Sequence, residues 1–384
     1  MRSAGPRRIF LISNDSDYIH MFRAEFIAAL IGKGHAVTIL APPGKREATL
    51  RKLGAELIDL PISRGGMNPI EEWSTYRFVL RTLREHRPDI VMNYSIKLVI
   101  YGSLAAHRAG IARIFSMITG LGYVFTHHTF KHKLLQAYAV FQYRRALPRN
   151  RKVFFLNPDD ADIFRRRAIV RQDQIQLIDG EGVNLKRFDP ARFPAPKAGR
   201  GPRRVAFLLI ARLLKDKGIG EYIAAARELK QRYPEARFQL LGAPHENPRS
   251  YGQADIEAWQ AEGIIEYLGV AEDVRPLLAA ADVYVLPSYR EGLSISILEA
   301  MAMGLPVVAA DVPGCRETIE PGANGFLVPA RTAPPLAAAM EKFIVNPGLI
   351  KKMGRRSRSI AREKFDVEKI NRVLLNAILD DGAP

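Results

Sequence analysis

DVYVLPSYREGLSISILEAMAMGLPVVAAD, residues 282–311, contains a complete strand–helix–strand passage, and its reading decides the fold. DVYVLPS is a short apolar run ending in Pro287 and Ser288, the pattern of a strand buried on both faces. Glu291-Gly292-Leu293-Ser294 reads as a turn, with Ser294 placed to cap the helix ISILEAMAM. Gly304 closes that helix and Pro306 opens the next strand, PVVAAD. Strand, crossover helix and strand in succession are the repeating unit of a parallel α/β sheet.

The same alternation runs outward in both directions. After it comes GFLVPA; before it come RVAFLLIARL, the helix GIGEYIAAARELKQRY, RFQLLGAP and IIEYLGV. Further upstream, RRIFLIS, HAVTILAPP, PDIVMNYS, IARIFSMI, KVFFLNP and QIQLIDGEGVN read as strands of a first sheet, with FRAEFIAALIGKG and STYRFVLRTLREH as helices between them. Between the two halves, KRFDPARFPAPKAGRGPRR (186–204) has four prolines and no periodicity. The expected organisation is a Rossmann-like domain over 1–188, a linker over 189–203, a second Rossmann-like domain over 204–365, and a C-terminal helix and tail over 366–384. In such α/β folds ligands bind at the carboxyl ends of the strands, and here that means a cleft between two facing domains.

The opening passage also carries chemistry. Gly292 lets the chain turn so that the amides of 292–295 converge at a helix start, a ready anion site. Glu291 lies just outside that site and Glu299 lies inside the helix, eight positions on. Carboxylates repel a phosphate but accept hydrogen bonds from hydroxyls, so two of them around an anion site describe a sugar on each side of a pyrophosphate. A buried glutamate capping a neighbouring loop is the structural alternative. ARLLKDKG (211–218) follows the strand RVAFLLI directly and offers Arg212 and Lys217 at its carboxyl end. Fixed cations there would stabilise a departing diphosphate; a solvated basic loop is the plain alternative.

Composition sets the bounds. The chain has 384 residues, one cysteine (Cys315) and no run near the roughly 18 uninterrupted apolar residues of a spanning helix. The start, MRSAGPRRIFLIS, reads as a first buried strand rather than a signal peptide, and a lone cysteine suits the cytosol. The formal net charge of +17 calls for an anionic partner (nucleic acid, a membrane surface or phosphorylated ligands) unless it reflects only an Arg-rich genome.

Taken together, ARLLKDKG and EGLSISILE, the latter followed by AMAMGLPVVAADVPG, resemble the retaining glycosyltransferases of family four, whose fold is GT-B. The first motif stands for the family's G-R-L-x-x-x-K-G loop and the second for its Glu-x7-Glu. The resemblance implies that Arg212 and Lys217 bind the donor diphosphate, that Glu291 holds hydroxyls of the transferred sugar with the 292–294 backbone on the phosphates, and that Glu299 holds the ribose. It places Gly269 and Val270 near the base, and makes Arg212, Lys217 and Glu291 the catalytic set with Gly292, Leu293 and Ser294 beside the donor. GEGVNLKRF (180–188) resembles the segment completing the cleft.

Two stretches depart from the family. Where many members carry a His in the first domain, this chain reads MITGLGYVF, leaving Thr119, Gly120 and the Gly120–Gly122 backbone as the donor-sugar side, with His127 and His128 beyond. The loop after the first strand reads SNDSDYIHMF, without glycine. Both resemble the subgroup that builds bacterial capsule, O-antigen and lipid-linked glycans. His20 and His127 read as surface or packing residues. Asp15-Ser16-Asp17 and Asp160-Ala161-Asp162 match Asp-x-Asp, but no His/Cys cluster has metal-ligand spacing, and no metal or other cofactor is expected.

Residues 131–152, KHKLLQAYAVFQYRRALPRNRK, hold seven Lys/Arg and no acid, with Leu134, Tyr138 and Phe141 on one helical face. Either this face docks on an anionic membrane or it packs inside the first domain. The expectation is a retaining hexosyl- or N-acetylhexosaminyltransferase using a UDP-sugar and an undecaprenyl-pyrophosphate-linked acceptor, cytoplasmic and peripheral on the inner membrane face, with no nucleic-acid partner. The rival is a nucleotide-sugar 2-epimerase of similar fold.

Overall fold

The computed structural model describes residues 5–62, 68–121, 130–193, 204–244 and 250–380. The chain forms two compact units, Met1–Glu181 with Glu368–Pro384, and Gly182–Val367.

The first unit is built on a parallel sheet of β1 (Arg8–Ile12), β2 (Ala36–Ala41), β3 (Glu56–Asp59), β4 (Ile90–Tyr94), β5 (Arg113–Ile118), β6 (Lys152–Phe155) and β7 (Ile175–Leu177). Its spatial order is β3-β2-β1-β4-β5-β6-β7, so the winding reverses between β1 and β4. The crossover helices are α1 (Ser16–Gly32), α2 (Glu47–Lys52), α3 (Pro69–His86), α4 (Ile96–Arg108), α5 (Phe130–Ala146) and α6 (Pro158–Arg166). Phe10, Leu40, Val79, Val91 and Leu98 form one core cluster, and Val99, Ile118, Tyr143, Phe155 and Phe164 another.

α1 starts earlier than the sequence indicates. SNDSDYIHMF is not a loop: Asp15 accepts hydrogen bonds from the amides of Asp17 and Tyr18, and the helix begins at Ser16. β3 is the strand that sequence reading missed; it has four residues, with acids at both ends, on the sheet edge. Buried Arg23 pairs with Glu181, which also accepts from Tyr18, and this fixes the last residue of the unit's first segment. Removing one member of such a buried pair costs about 3–5 kcal/mol.

The second unit repeats the design with β8 (Ala206–Ile210), β9 (Arg237–Leu241), β10 (Glu266–Tyr267), β11 (Val283–Leu286), β12 (Val307–Ala310) and β13 (Gly325–Val328), in the order β10-β9-β8-β11-β12-β13. Each expected strand of this half is present. Its helices are α7 (Ile219–Arg232), α8 (Gln253–Ala261), α9 (Arg275–Ala280), α10 (Ile295–Ala302), α11 (Ala333–Val345) and α12 (Gly348–Lys364). Phe207, Leu209, Tyr222, Phe238, Val285, Val308 and Met340 lie in one core cluster. The chain enters this unit beside α12, where Val183 bonds both ways with the 365–367 backbone and Arg358 donates to the carbonyls of Leu185 and Phe188. The last helix, α13 (Val367–Leu379), closes on the first unit, its final carbonyls taking hydrogen bonds from Arg7 and Arg113. Guanidinium groups suit that end because the helix dipole is negative there.

Candidate active site

In an open parallel sheet a ligand binds where the winding reverses, beyond the carboxyl ends of the two strands involved. In the second unit those strands are β8 and β11, paired at Val283–Phe207 and Tyr284–Leu208. The loop after β8 is ARLLKDKG and the turn after β11 is Glu291–Ser294, so the fold brings the two sequence motifs together.

Their contact is direct. Lys217 Nζ donates to Glu291 Oε1 at 2.6 Å, with 21% and 13% of the two side chains exposed. Gly218 makes this approach possible. It has φ +71°, and a Cβ on it would lie 2.1 Å from the carbonyl oxygen of Pro287, at the end of β11. The Tyr289 amide donates to the Asp216 carbonyl at 2.9 Å, and Tyr289 Oη to Glu221 at 2.6 Å, tying the two loops together.

A third loop supports the turn from below. The Glu291 amide donates to Pro313 O and the Ser294 amide to Gly314 O, both at 3.0 Å. Gly314 has φ +81°, and a Cβ there would lie 2.6–2.7 Å from the backbone and Cβ of Glu291. Ser294 caps α10 through Oγ, which accepts from the Ile297 amide at 3.4 Å. The expected row of amides on phosphate is thereby corrected at one position: the Ser294 N–H is taken up by Gly314, and Ser294 acts as cap and brace.

Glu299, on α10, is half-buried, and protein surrounds its carboxyl. It makes no side-chain hydrogen bond with a described residue. Burial pushes its carboxyl up to about 7, against the opposing pull of the Arg187 charge and with a small push from Asp273. The Arg212 guanidinium, exposed just beyond β8, likewise has no hydrogen-bond or ion-pair partner among the described residues. Gly269 follows β10, its carbonyl accepting from the Gly242 amide at 2.8 Å, and Val270 beside it is largely exposed. Leu293 is buried. Cations, open carboxylates and a capped helix start at one switch point can hold a diphosphate and bind hydroxyls. Sequence reading did not single out Arg187 or Gly314 as site residues, although both lie in stretches that resemble the family, GEGVNLKRF (180–188) and AMAMGLPVVAADVPG (300–314).

In the first unit, Thr119 and Gly120 follow β5 and are partly exposed. Gly122, His127 and His128 lie outside the described residues. Sequence reading missed Ser95, at the end of β4 beside that unit's switch point. Its φ of +65° with ψ of 150° is nearly reserved for glycine, and its buried Oγ has no hydrogen-bond partner among the described residues.

Both Asp-x-Asp matches have structural duties. Asp15 caps α1, Asp17 accepts from the amides of Lys45 and Arg46, and Asp162 pairs with Arg165 and Arg166. Among the described residues no group of three or more His, Cys, Asp or Glu is arranged to hold a metal ion. Residues 131–152 form α5 and the start of β6, and of the two alternatives left open for the Leu134, Tyr138 and Phe141 face, packing inside the first domain is not the one seen. Val140, Tyr143, Ala146 and Leu147 are buried, whereas Leu134, Tyr138 and Phe141 are exposed.

Comparison with known proteins gives the family. Residues 204–346 match the family model described as "Glycosyl transferases group 1", and residues 19–181 match the "Glycosyl transferase 4-like domain". The chain is 30% identical over 336 residues to N,N'-diacetylbacillosaminyl-diphospho-undecaprenol alpha-1,3-N-acetylgalactosaminyltransferase of Campylobacter jejuni, covering 86% of this chain and 87% of that one. It is 26% identical over 267 residues to the UDP-Gal:alpha-D-GlcNAc-diphosphoundecaprenol alpha-1,3-galactosyltransferase of Escherichia coli, 67% of each chain. Among solved structures, a glycosyltransferase of Rickettsia africae superposes with a TM-score of 0.77 at 19% identity, over 99% of this chain and 100% of that one. The Anabaena protein HepE, solved with UDP and glucose, gives 0.75 at 19% identity, over 97% and 99%. With both halves matched by their own family models and 86% of the chain matched by a relative at 30% identity, this protein belongs to the group 1, family-four glycosyltransferases of GT-B fold.

Proposed function

We propose that this glycosyltransferase moves a hexosyl or N-acetylhexosaminyl group from a UDP-sugar, with retention at the anomeric carbon, to a glycan carried on undecaprenyl diphosphate. The observation that carries the reading is the meeting of Lys217 with Glu291 at the second unit's switch point, beside an Arg212 and a Glu299 whose side chains have no hydrogen-bond partner among the described residues. The Lys217 ammonium uses one proton on Glu291 and keeps two for a donor phosphate. Arg212 adds a guanidinium suited to the same group. Glu291 Oε2 and the Glu299 carboxylate are left to accept sugar and ribose hydroxyls. The printed names of the Campylobacter and E. coli relatives, both acting on diphospho-undecaprenol-linked glycans, support the acceptor class.

In the reaction the bond from the anomeric carbon to the diphosphate oxygen breaks while the acceptor hydroxyl attacks from the same face. The acceptor's proton passes to the departing phosphate oxygen. Lys217 and Arg212 act by stabilising the negative charge that grows on the diphosphate, and need no proton transfer of their own. Among the described residues no helix is long and apolar enough to cross a membrane, and we read the enzyme as peripheral on the inner face of the cytoplasmic membrane.

A panel of nucleotide sugars, tested with lipid-linked acceptors and scored by released nucleoside diphosphate, identifies the donor. With that donor, Arg212→Ala and Lys217→Ala should each lower turnover about 100-fold or more, the usual loss for one fixed stabilising group. Wild-type rates in both variants would remove the assignment. The anomeric configuration of the product, read by proton coupling, tests retention.

A further inference from the structure

In the first unit α3, α4 and α5 enclose a groove of about 640 Å³. α4 packs against both of the other helices and forms the floor with Tyr101 and Leu104. Trp73 and Tyr76 of α3 make one wall, and Tyr138 of α5 the other. The two outer helices carry apolar side chains open to solvent: on α3 Ile70 is 77% exposed and Trp73 58%, and on α5 Leu134 is 69%, Tyr138 51% and Phe141 55%. No other helix among the described residues shows more than one exposed large hydrophobic side chain. Contiguous apolar surface of this kind marks a contact with something apolar.

The groove is also cationic. Arg108, Arg145 and Arg149 line it, and none has a carboxylate partner among the described residues. The neighbouring arginines differ: Arg165 and Arg166 pair with Asp162, and Arg144 donates to the Arg167 carbonyl. Glu72, which also lines the groove, is occupied by the Tyr101 hydroxyl, with Lys97 3.7 Å away. An aromatic trough bordered by uncompensated guanidinium groups complements a phosphate attached to a hydrocarbon chain.

We propose that this groove takes one chain of an anionic bilayer phospholipid, its hydrocarbon between Trp73, Tyr138 and Leu104 and its phosphate on Arg108, Arg145 and Arg149. A soluble phosphate would not call for the exposed apolar side chains of α3 and α5, and an apolar peptide would not call for three cations. The inference rests on the reading that the acceptor is membrane-borne. Its test measures lipid contact alone, so it fails or succeeds separately from transfer.

The chain has two tryptophans, Trp73 and Trp259, and Trp259 is packed on Tyr251 in the second unit. In the full-length Trp259→Phe variant, fluorescence therefore reports Trp73 alone. Phosphatidylglycerol vesicles with brominated chains should quench that signal, and brominated phosphatidylcholine vesicles should not. Adding Arg145→Gln with Arg149→Gln should reduce quenching to the phosphatidylcholine level, and adding Leu104→Phe, which fills the floor, should reduce it with the charge unchanged. Circular dichroism and melting temperature confirm that each variant folds. Absence of quenching by phosphatidylglycerol overturns the proposal, as does undiminished quenching in the Leu104→Phe variant, which would mean a surface contact without entry. Relief of quenching by a short-chain prenyl diphosphate also overturns it and gives the groove to the acceptor's own lipid.

Discussion

Glu299 stands where an ionised carboxylate is poorly solvated, and the consequence can be read as a dependence of stability on pH. Burial raises its folded-state pKa to about 7 from an ordinary value of 4.5, so the folded protein holds this proton over a range in which the unfolded chain has lost it. The stabilisation from holding the neutral acid is complete below the unfolded value and is lost as pH rises through the folded one. Glu299→Gln keeps the shape and removes the titration. Its stability gain over wild type should be small near pH 5 and should grow to about 3 kcal/mol near pH 8, by the conversion of about 1.4 kcal/mol per pKa unit. Thermal melts of both proteins at the two pH values measure it, and a gain independent of pH would show that the carboxyl is well solvated. The same substitution should weaken donor binding, because an amide offers one acceptor oxygen in place of two. A residue that costs stability and is kept for its ligand is a common feature of active sites.

At the scale of elements, the placement of Glu291 depends on the loop that carries Pro313 and Gly314. Gly314 passes directly beneath the 291–294 turn, in a left-handed conformation and with no space for a side-chain carbon. Gly314→Ala should displace Glu291 from Lys217 and lower transfer sharply while leaving the sheet intact. Because the β11–β12 pairing lies outside the clash, the variant should keep native circular dichroism and bind nucleoside diphosphate through Arg212 with only modest loss. Unchanged turnover would show that the turn tolerates the shift. What could be read from the sequence follows the same division. The strands of the second unit are continuous apolar runs between turn residues, and each was legible; β3, with acids at both ends on the sheet edge, was not. The motifs around Lys217 and Glu291 were visible, but their ion pair spans 74 residues and needed the fold to appear. α5 shows the limit of pattern reading. Its two faces are both partly apolar, and the sequence offers no means of deciding that Tyr143 and Val140 go inward while Tyr138 and Phe141 stay out. Ser95 gave no signal because a serine before a helix ordinarily reads as a cap, whereas here its side chain makes no capping hydrogen bond.

At the scale of the whole molecule, the proposed function gives the net charge of +17 two tasks that salt should separate. Lys217 and Glu291 are mostly shielded from solvent, so a diphosphate held there interacts over short distances that salt screens weakly. The arginines around the α3–α5 groove are exposed, and their attraction to an anionic bilayer acts over distances comparable with the Debye length. That length falls from about 10 Å at 0.1 M salt to about 3 Å at 1 M. If the membrane reading holds, transfer to a vesicle-borne acceptor should collapse as salt rises, while transfer to a water-soluble analogue of the same acceptor declines modestly. The comparison is made with one protein, one donor and one range of salt, so changes in folding or donor affinity affect both arms alike. Replacing phosphatidylglycerol with phosphatidylcholine in the vesicles should remove most of the difference between the two salt dependences. Parallel decline in the two assays would mean that the excess positive charge acts at the donor diphosphate, or on the acceptor glycan itself. Membrane capture would then have no part in the rate, and the family assignment and the proposed transfer reaction would both stand.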